Sequence, residues 1–435
     1  DEIYTEITYD EAGRRKSIAD PSAGLRTTSY AYSGGELTVT ETDADGRAVA
    51  TTYDKYGRKA KVVRPEFSTT YGYDGYGQLA MVMSDNGTSR NYIHDTFGRV
   101  MTETETVPGG RSLTKAYYYG DDGVPTGVLY AGGRVYHELL YTYSHGTLSE
   151  ITLSGGGGTV WKLTEMNGMG MPTKVVTGGM EREYGYTDYG MPLYRKFGVH
   201  QHFAYDFDPH TGNLMSRTDA LRGITEEYGY DNLNRLTDEN GRETEYADNG
   251  SIVSRDGVGT ATYNLAPNAY RLKELRLPDD SDFYYQVSDI SYTSFGRPDK
   301  IVYDRRNAVM DESGESIPTD RSLPRPPTAT FTYNDRGERV MMVVKGNNGR
   351  SIACRYYIGG VYEVDEVTGE ERLYIGGDAY SAPAVDICDA DGEWELHFIG
   401  RDYLGSITHI ADSKGNLVAE YSYDAWGRLR DPATQ

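Results

Sequence analysis

Side chains that could do chemistry are few in this chain and poorly grouped. His200 and His202 flank Gln201; on a strand both imidazoles would share one face, a candidate zinc pair. No third ligand stands nearby at a matching spacing, so neither a metal site nor a cofactor is expected. Asp43-Ala44-Asp45-Gly46 and Asp389-Ala390-Asp391-Gly392 resemble pieces of a calcium loop. Such a loop needs a further spaced oxygen ligand and a closing Glu, and neither stretch supplies them. A plain Asp-Gly turn explains both.

Nucleophilic and phosphate-binding patterns are equally thin. No Gly-x-Ser-x-Gly elbow and no P-loop occurs. The 66 acidic residues could include the paired carboxylates of a glycosidase, yet the Asp residues recur at turn positions and no pair stands out. The turn arginines Arg14, Arg58, Arg99 and Arg428 are expected to face acidic neighbours. No catalytic residue is assigned, and the segment is expected to be non-enzymatic. Two cysteines, Cys354 and Cys388, make no disulfide framework; a single pair and two unrelated thiols are both open.

The elements that position these residues follow from composition. Tyr numbers 40 against 9 Phe and 3 Trp, whereas buried cores draw on Leu, Ile, Val and Phe. Tyr suits strands, with its ring packed on the sheet and its hydroxyl at water. The 52 Gly fit a chain that turns often. Apolar positions do not recur at helical spacing, and no run of about 18 apolar residues exists to span a membrane. A formal charge of −22 disfavours phosphate backbones and anionic lipid surfaces, so neither nucleic acid nor membrane is expected as a partner. The same charge helps keep a large sheet in solution.

One unit repeats. Its clear copies are Tyr9-Asp10-Glu11-Ala12-Gly13-Arg14, Tyr53-Asp54-Lys55-Tyr56-Gly57-Arg58 and Tyr73-Asp74-Gly75-Tyr76-Gly77-Gln78. Later copies are His94-Asp95-Thr96-Phe97-Gly98-Arg99, Tyr230-Asp231-Asn232-Leu233-Asn234-Arg235 and Tyr423-Asp424-Ala425-Trp426-Gly427-Arg428. Consecutive copies begin at positions 53, 73 and 94, a period that signals a repeat architecture. The polar–apolar alternation of Glu6-Ile7-Thr8-Tyr9 reads as a strand. The Asp accepts backbone hydrogen bonds as the chain turns. The Gly, or Asn234 in its place, supplies the left-handed residue of a short hairpin loop. Each repeat is thus about one β-hairpin. Such a hairpin is barely stable alone and gains stability from its neighbours. The structural turn residues are therefore Asp10, Gly13, Asp54, Gly57, Asp74, Gly77, Asp95, Gly98, Asp231, Asp402, Gly405, Asp424 and Gly427.

The expected fold is all-β: tandem hairpins in a long, curved antiparallel sheet that forms a full or partial hollow shell. The run Gly155 to Gly158 reads as a flexible loop. Residues 304–329, with Pro318, Pro324, Pro326 and Pro327, read as an insertion or linker, because Pro cannot donate to a ladder. This divides the chain into an array at 1–303, the Pro-rich segment at 304–329 and further repeats at 330–435.

The C-terminal stretch carries the most specific pattern. Asp402-Tyr403-Leu404-Gly405-Ser406 is followed by Asp412-Ser413-Lys414-Gly415-Asn416 and then by Tyr423 to Arg428. These three turns in order resemble the entry to the Rhs-repeat-associated core, and the chain resembles the YD/Rhs-repeat family over most of its length. The Ala425-Trp426-Gly427-Arg428 wording looks most like Rhs proteins of gut Bacteroidetes. The family includes bacterial Rhs toxins, the toxin-complex C component and teneurins. The resemblance implies a hollow β-shell, a secreted or cell-surface bacterial setting, and an enclosed C-terminal effector domain as partner. That effector and any signal peptide are expected outside this chain. In the family a D-P-x-G motif acts as an aspartyl autoprotease; Asp431-Pro432-Ala433-Thr434 lacks the glycine, so Asp431 is given no such role. The alternative reading is an adhesive or carbohydrate-binding surface module whose exposed tyrosines meet a glycan or receptor.

Overall fold

The computed structural model describes residues 4–21, 23–264, 270–278, 285–305, 308–310, 316–318, 326–346 and 349–433. Among these there is no helix, and 37 strands belong to one antiparallel sheet. Nearly every strand pairs with its neighbour in sequence, so the sheet is a meander of hairpins. Much of the Pro-rich segment expected at 304–329, Pro324 included, lies outside the described residues.

The hairpins follow from the repeat. Ser68–Tyr73 pairs with Leu79–Ser84, with Thr69 opposite Ser84 and Tyr73 opposite Leu79. The register slips by one residue between Gly72 and Tyr73. A slip falls just before the turn Tyr in other copies as well, at Thr52/Tyr53, Gly229/Tyr230 and Thr332/Tyr333. This is the bulge that accompanies a type I turn closed by a left-handed residue. The run Gly155 to Gly158 is part of the same scheme. Leu153 pairs with Gly158 and Thr152 with Thr159, so the glycines close a hairpin between Thr147–Leu153 and Gly158–Met166.

The chain divides into two compact units. The first takes residues 1–99, 104–111 and 244–356, and the second takes 100–103, 112–243 and 357–435. Stretches from both sides of the Pro-rich segment contribute to each unit. In the first unit the buried apolar residues are spread one or two per hairpin, among them Val62, Val82, Val107 and Val340. The second is more densely filled, with Leu113, Leu139, Val160, Phe197, Ile358, Leu373, Ile375 and Ile399 nearly or wholly inaccessible. Here Phe203, Tyr205, Leu214 and Tyr228 make one cluster, against which Tyr403 and Ala425 pack.

Candidate functional site

The most regular chemistry in the molecule lies at the turns. In each copy the Asp Oδ1 accepts from two backbone N–H groups, two and four residues on. For Asp54 these are Tyr56 at 2.8 Å and Arg58 at 2.9 Å. Asp10, Asp74, Asp95 and Asp231 repeat the pattern. Asp402 and Asp424 do the same toward Leu404 and Ser406, and Trp426 and Arg428. The backbone closes around this acceptor, with Gly57 N–H donating to Asp54 O at 2.9 Å. Gly13, Gly57, Gly77, Gly98, Gly405 and Gly427 all have φ between +76° and +91°, and Asn234 stands at +58°. Asn is the next best residue there, because its short polar side chain tolerates the left-handed region.

In four of the copies the turn Arg folds back on its own Asp. Arg58 Nε and Nη2 both lie 2.8 Å from Asp54 Oδ2, and Arg14, Arg99 and Arg235 pair with their own turn Asp. Backbone donation from Arg14 and Arg235 holds Asp10 and Asp231 below the usual carboxylate range. At Asp54 and Asp95 partial desolvation pushes upward, but N–H donors and the paired Arg outweigh it.

A second relationship joins one repeat to the next. The Tyr73 hydroxyl donates to Lys59 O at 2.8 Å, and Lys59 is the first residue after the preceding turn's Arg. Tyr30 to Arg15 O, Tyr119 to Val100 O, Tyr230 to Leu214 O, Tyr263 to Ile252 O and Tyr292 to Leu272 O are equivalent. Arg58 meanwhile stacks over the Tyr73 ring at 4.3 Å, and Arg14 over Tyr30 at 4.2 Å. Burial raises the phenols of Tyr73, Tyr230, Tyr263 and Tyr292, so they stay protonated donors. The Tyr preference in composition thus has a cause beyond ring packing: Phe could not reach the carbonyl.

A third set of contacts joins strands far apart in sequence, within each unit. In the first unit Arg47 donates to Tyr292 O at 2.7 Å, Asn86 to Tyr333 O at 2.8 Å, and Arg90 pairs with Asp335. In the second, Lys115 donates to Gly359 O at 2.6 Å, Arg134 to Asp389 O at 2.9 Å and Arg195 to Asp402 O at 2.7 Å. Polar side chains of earlier strands therefore add donors to backbone carbonyls at later turns, Asp402 O for example accepting from Gly405 N–H as well as from Arg195.

Of the three C-terminal turns, those at Asp402 and Asp424 are the most heavily held. Asp402 and Asp424 are buried, at 2% and 6% exposure. Tyr403 packs edge-on against Tyr205, with centroids 4.9 Å apart. Arg217 donates to Tyr423 O at 2.8 Å and to Glu226 at 2.5 and 2.8 Å, and Glu226 also pairs with Arg430. Glu239 accepts from Ala425 N–H at 2.7 Å. Glu226 and Glu239 are almost wholly buried, so each needs these cationic or N–H partners. His409 is also buried, its Nε2 3.4 Å from Glu420, and burial pulls it down to about 4.

The other candidates from sequence are scattered. His200 precedes its strand and bonds Gly415 O at 2.8 Å, while His202 lies beside the Tyr194 ring. Asp43 caps its turn through Asp45 and Arg47 N–H, and Asp389 caps its own through Gly392 and Glu393 N–H. Among the described residues no three His, Cys, Asp or Glu are grouped as metal ligands. Both cysteines carry thiols rather than a disulfide. Asp431 caps Ala433 N–H at 2.8 Å.

No family model matches the chain. Over 98% of its length it superimposes on a stretch of TcdB2-TccC3 solved without its hypervariable C-terminal region, with a TM-score of 0.68 and 15% identity. The fold is that of TcdB2-TccC3. The superimposed stretch is 25% of that chain. In sequence, 106 residues are 29% identical to the tRNA3(Ser)-specific nuclease WapA of Bacillus spizizenii and 30% identical to the tRNA nuclease WapA of Bacillus subtilis. These matches cover 23% of this chain and about 4% of the length of the relatives.

Sequence reasoning located the turns but missed the Tyr-to-carbonyl links and the Arg217–Glu226–Arg430 chain. The first had a signal, since the Tyr of the repeat is rarely Phe. The second had none, because Arg430 lies 204 positions from Glu226, although Arg217 and Glu226 are only 9 apart.

Proposed function

We propose that the chain is a non-catalytic wall segment of a secreted or surface Rhs-type toxin-like protein, a β-shell that encloses or presents an effector domain C-terminal to it. The observation that carries this reading is the match of 98% of the chain to TcdB2-TccC3. In that protein a hypervariable region lies at the C-terminal side, and the WapA relatives are named as tRNA nucleases. The residues found here suit a wall: acids and arginines are spent on turns and carbonyls. A meander that pairs each strand with the next hides its ladder groups, as a container needs.

The test is protease protection in the full-length protein. The segment downstream of Gln435 should resist digestion while attached and be cut quickly when expressed alone. Equal digestion in both settings would sink the proposal.

A second reading, adhesion to a glycan, draws on one observation. Tyr56, Tyr76 and Phe97 sit at the same place in the turns of three successive repeats and are 70%, 94% and 83% exposed. Glycan-array binding by the chain, lost when all three become Ala, would favour it.

A further inference from the structure

Within the second unit, the strands Met180–Tyr186 and Pro192–Phe197 and the segment Gly376 to Arg401 line a cavity of about 290 Å³. Four cations face it, Arg182, Arg195, Lys196 and Arg401, and no Asp or Glu is among its lining residues. In a chain of net charge −22 that is an unusual concentration of one sign. Lys196 is neutralised by Glu183 at 2.9 Å. The three guanidiniums are not.

Their hydrogen bonds go to neutral oxygens. Arg182 donates to Thr177 Oγ1 at 2.7 Å and Pro383 O at 3.1 Å, and Arg195 to Asp402 O at 2.7 Å. Arg401 donates to Gly405 O at 2.7 Å, Ala379 O at 3.0 Å and Ala382 O at 3.1 and 3.2 Å. Among the described residues none of the three has a carboxylate within ion-pair distance. These bonds hold the guanidiniums in place without cancelling their charge. Arg182 is only 6% exposed and lies 4.6 Å over the Phe197 ring. Burial lowers Arg182 and Arg401, and each is further lowered by a neighbouring Arg, while Tyr374 and the more distant Asp378 and Asp402 carboxylates pull Arg401 partly back up. Arginine does not give up its proton in proteins, so the positive charge persists in a poorly solvated place and favours an anion.

The remaining wall carries Trp161, Phe197 and Ile151 as its apolar part, with Gln201, Ser381 and Tyr184 beside them. Glycines let it close. A Cβ on Gly400 would lie 2.7 Å from Phe197 Cδ1, and one on Gly376 would lie 3.3 Å from Ile151 Cδ1.

We propose that this cavity binds an oxyanion, a carboxylate or phosphate group carried on a single aromatic or apolar body. The oxygens meet Arg182, Arg195 and Arg401, and the body lies against Trp161 and Phe197. The volume sits at the lower end of ligand pockets, about 300 Å³, which suits one ring and its charged group. This role is separate from that of a wall, since a shell needs no ligand there.

The experiment is titration calorimetry of the whole chain with phenylacetate, phenyl phosphate, inorganic phosphate and phenol at constant ionic strength. Saturable binding of either aromatic oxyanion, stronger than inorganic phosphate and with none for phenol, is the expected result. Phenylacetate and phenyl phosphate separate the carboxylate source from the phosphate source. Arg195→Gln should weaken both by about tenfold or more, the loss of one charge-assisted partner. Trp161→Ala should erase the preference for the aromatic anions over inorganic phosphate. Failure of the unaltered chain to bind either aromatic anion overturns the proposal, and so does unchanged affinity in folded Arg195→Gln.

Discussion

The Tyr73 hydroxyl donates to the backbone carbonyl of Lys59 at 2.8 Å, so the Tyr of one turn is anchored to the residue that starts the return strand of the turn before it. The carbonyl lies where the turn bulge interrupts the ladder, and without the phenol it would lack that donor. The same bond recurs along the chain, and stability accumulates from neighbour to neighbour.

Removing that hydroxyl should cost about 1 kcal/mol, the usual net value of one hydrogen bond. Tyr73→Phe should therefore lower stability in urea unfolding. Tyr76→Phe should not, because Tyr76 is 94% exposed. Equal effects at both positions would refute the linking role.

The left-handed glycines make a steric prediction. Gly57 has φ of +77° with open space where a Cβ would stand, and Gly98 has +85° with the Gln78 amide close by. Val at either position should destabilise by more than about 1 kcal/mol, since a β-branched residue is strained there. Gly57→Asn should be milder, as Asn234 already occupies the equivalent site at +58°. Thermal melts of the three variants decide the matter.

Acid should loosen the turns. Asp10, Asp54, Asp95 and Asp231 have folded values below the ordinary 3.8. Their contribution is present above the unfolded value and is lost as pH falls through the lower folded values. Melting temperature should drop below about pH 4, and Asp54→Ala should lose more than Asp54→Asn at neutral pH. An Asn side-chain oxygen still accepts the two N–H groups, but an Ala offers nothing.

His409 acts over a higher window. It is held near 4 against an ordinary 6.5, because burial disfavours the imidazolium. Between those values the unfolded chain binds a proton that the folded chain refuses, so stability falls as pH drops from 6.5 to 4 and levels off for this group below that. The full span is about 3 kcal/mol. Glu420, 3.4 Å away, pulls in the opposite direction and is included in that balance. His409→Gln should flatten the pH dependence of urea unfolding between about pH 6.5 and about pH 4.5.

Glu226 sits between Arg217 and Arg430 with only 1% exposure. Glu226→Ala would leave Arg217 without its carboxylate and Arg430 with only Glu239, at 3.7 Å, at a cost of about 3–5 kcal/mol. A change under about 1 kcal/mol in denaturant unfolding would show that the site relaxes around the loss.

The sequence by itself determined the all-β class, the hairpin unit and the register of its turns. Those depend on residues within a few positions of one another: a strand pattern, an Asp to accept N–H groups, and a Gly or Asn for positive φ. It also located the C-terminal turns at Asp402, Asp412 and Asp424. Only the tertiary structure decided which distant strands meet. Arg195 reaches Asp402 O across 207 positions and Arg217 reaches Tyr423 O across 206. Nothing in the local pattern of an exposed-looking Arg distinguishes it from one paired with its own turn Asp, such as Arg58. The three guanidiniums at the cavity, which make no ion pair among the described residues, were invisible for the same reason, because burial and ion pairing are properties of the folded chain. The Tyr-to-carbonyl bond lies between these limits: composition demanded Tyr, but the partner appeared only when consecutive hairpins were set side by side.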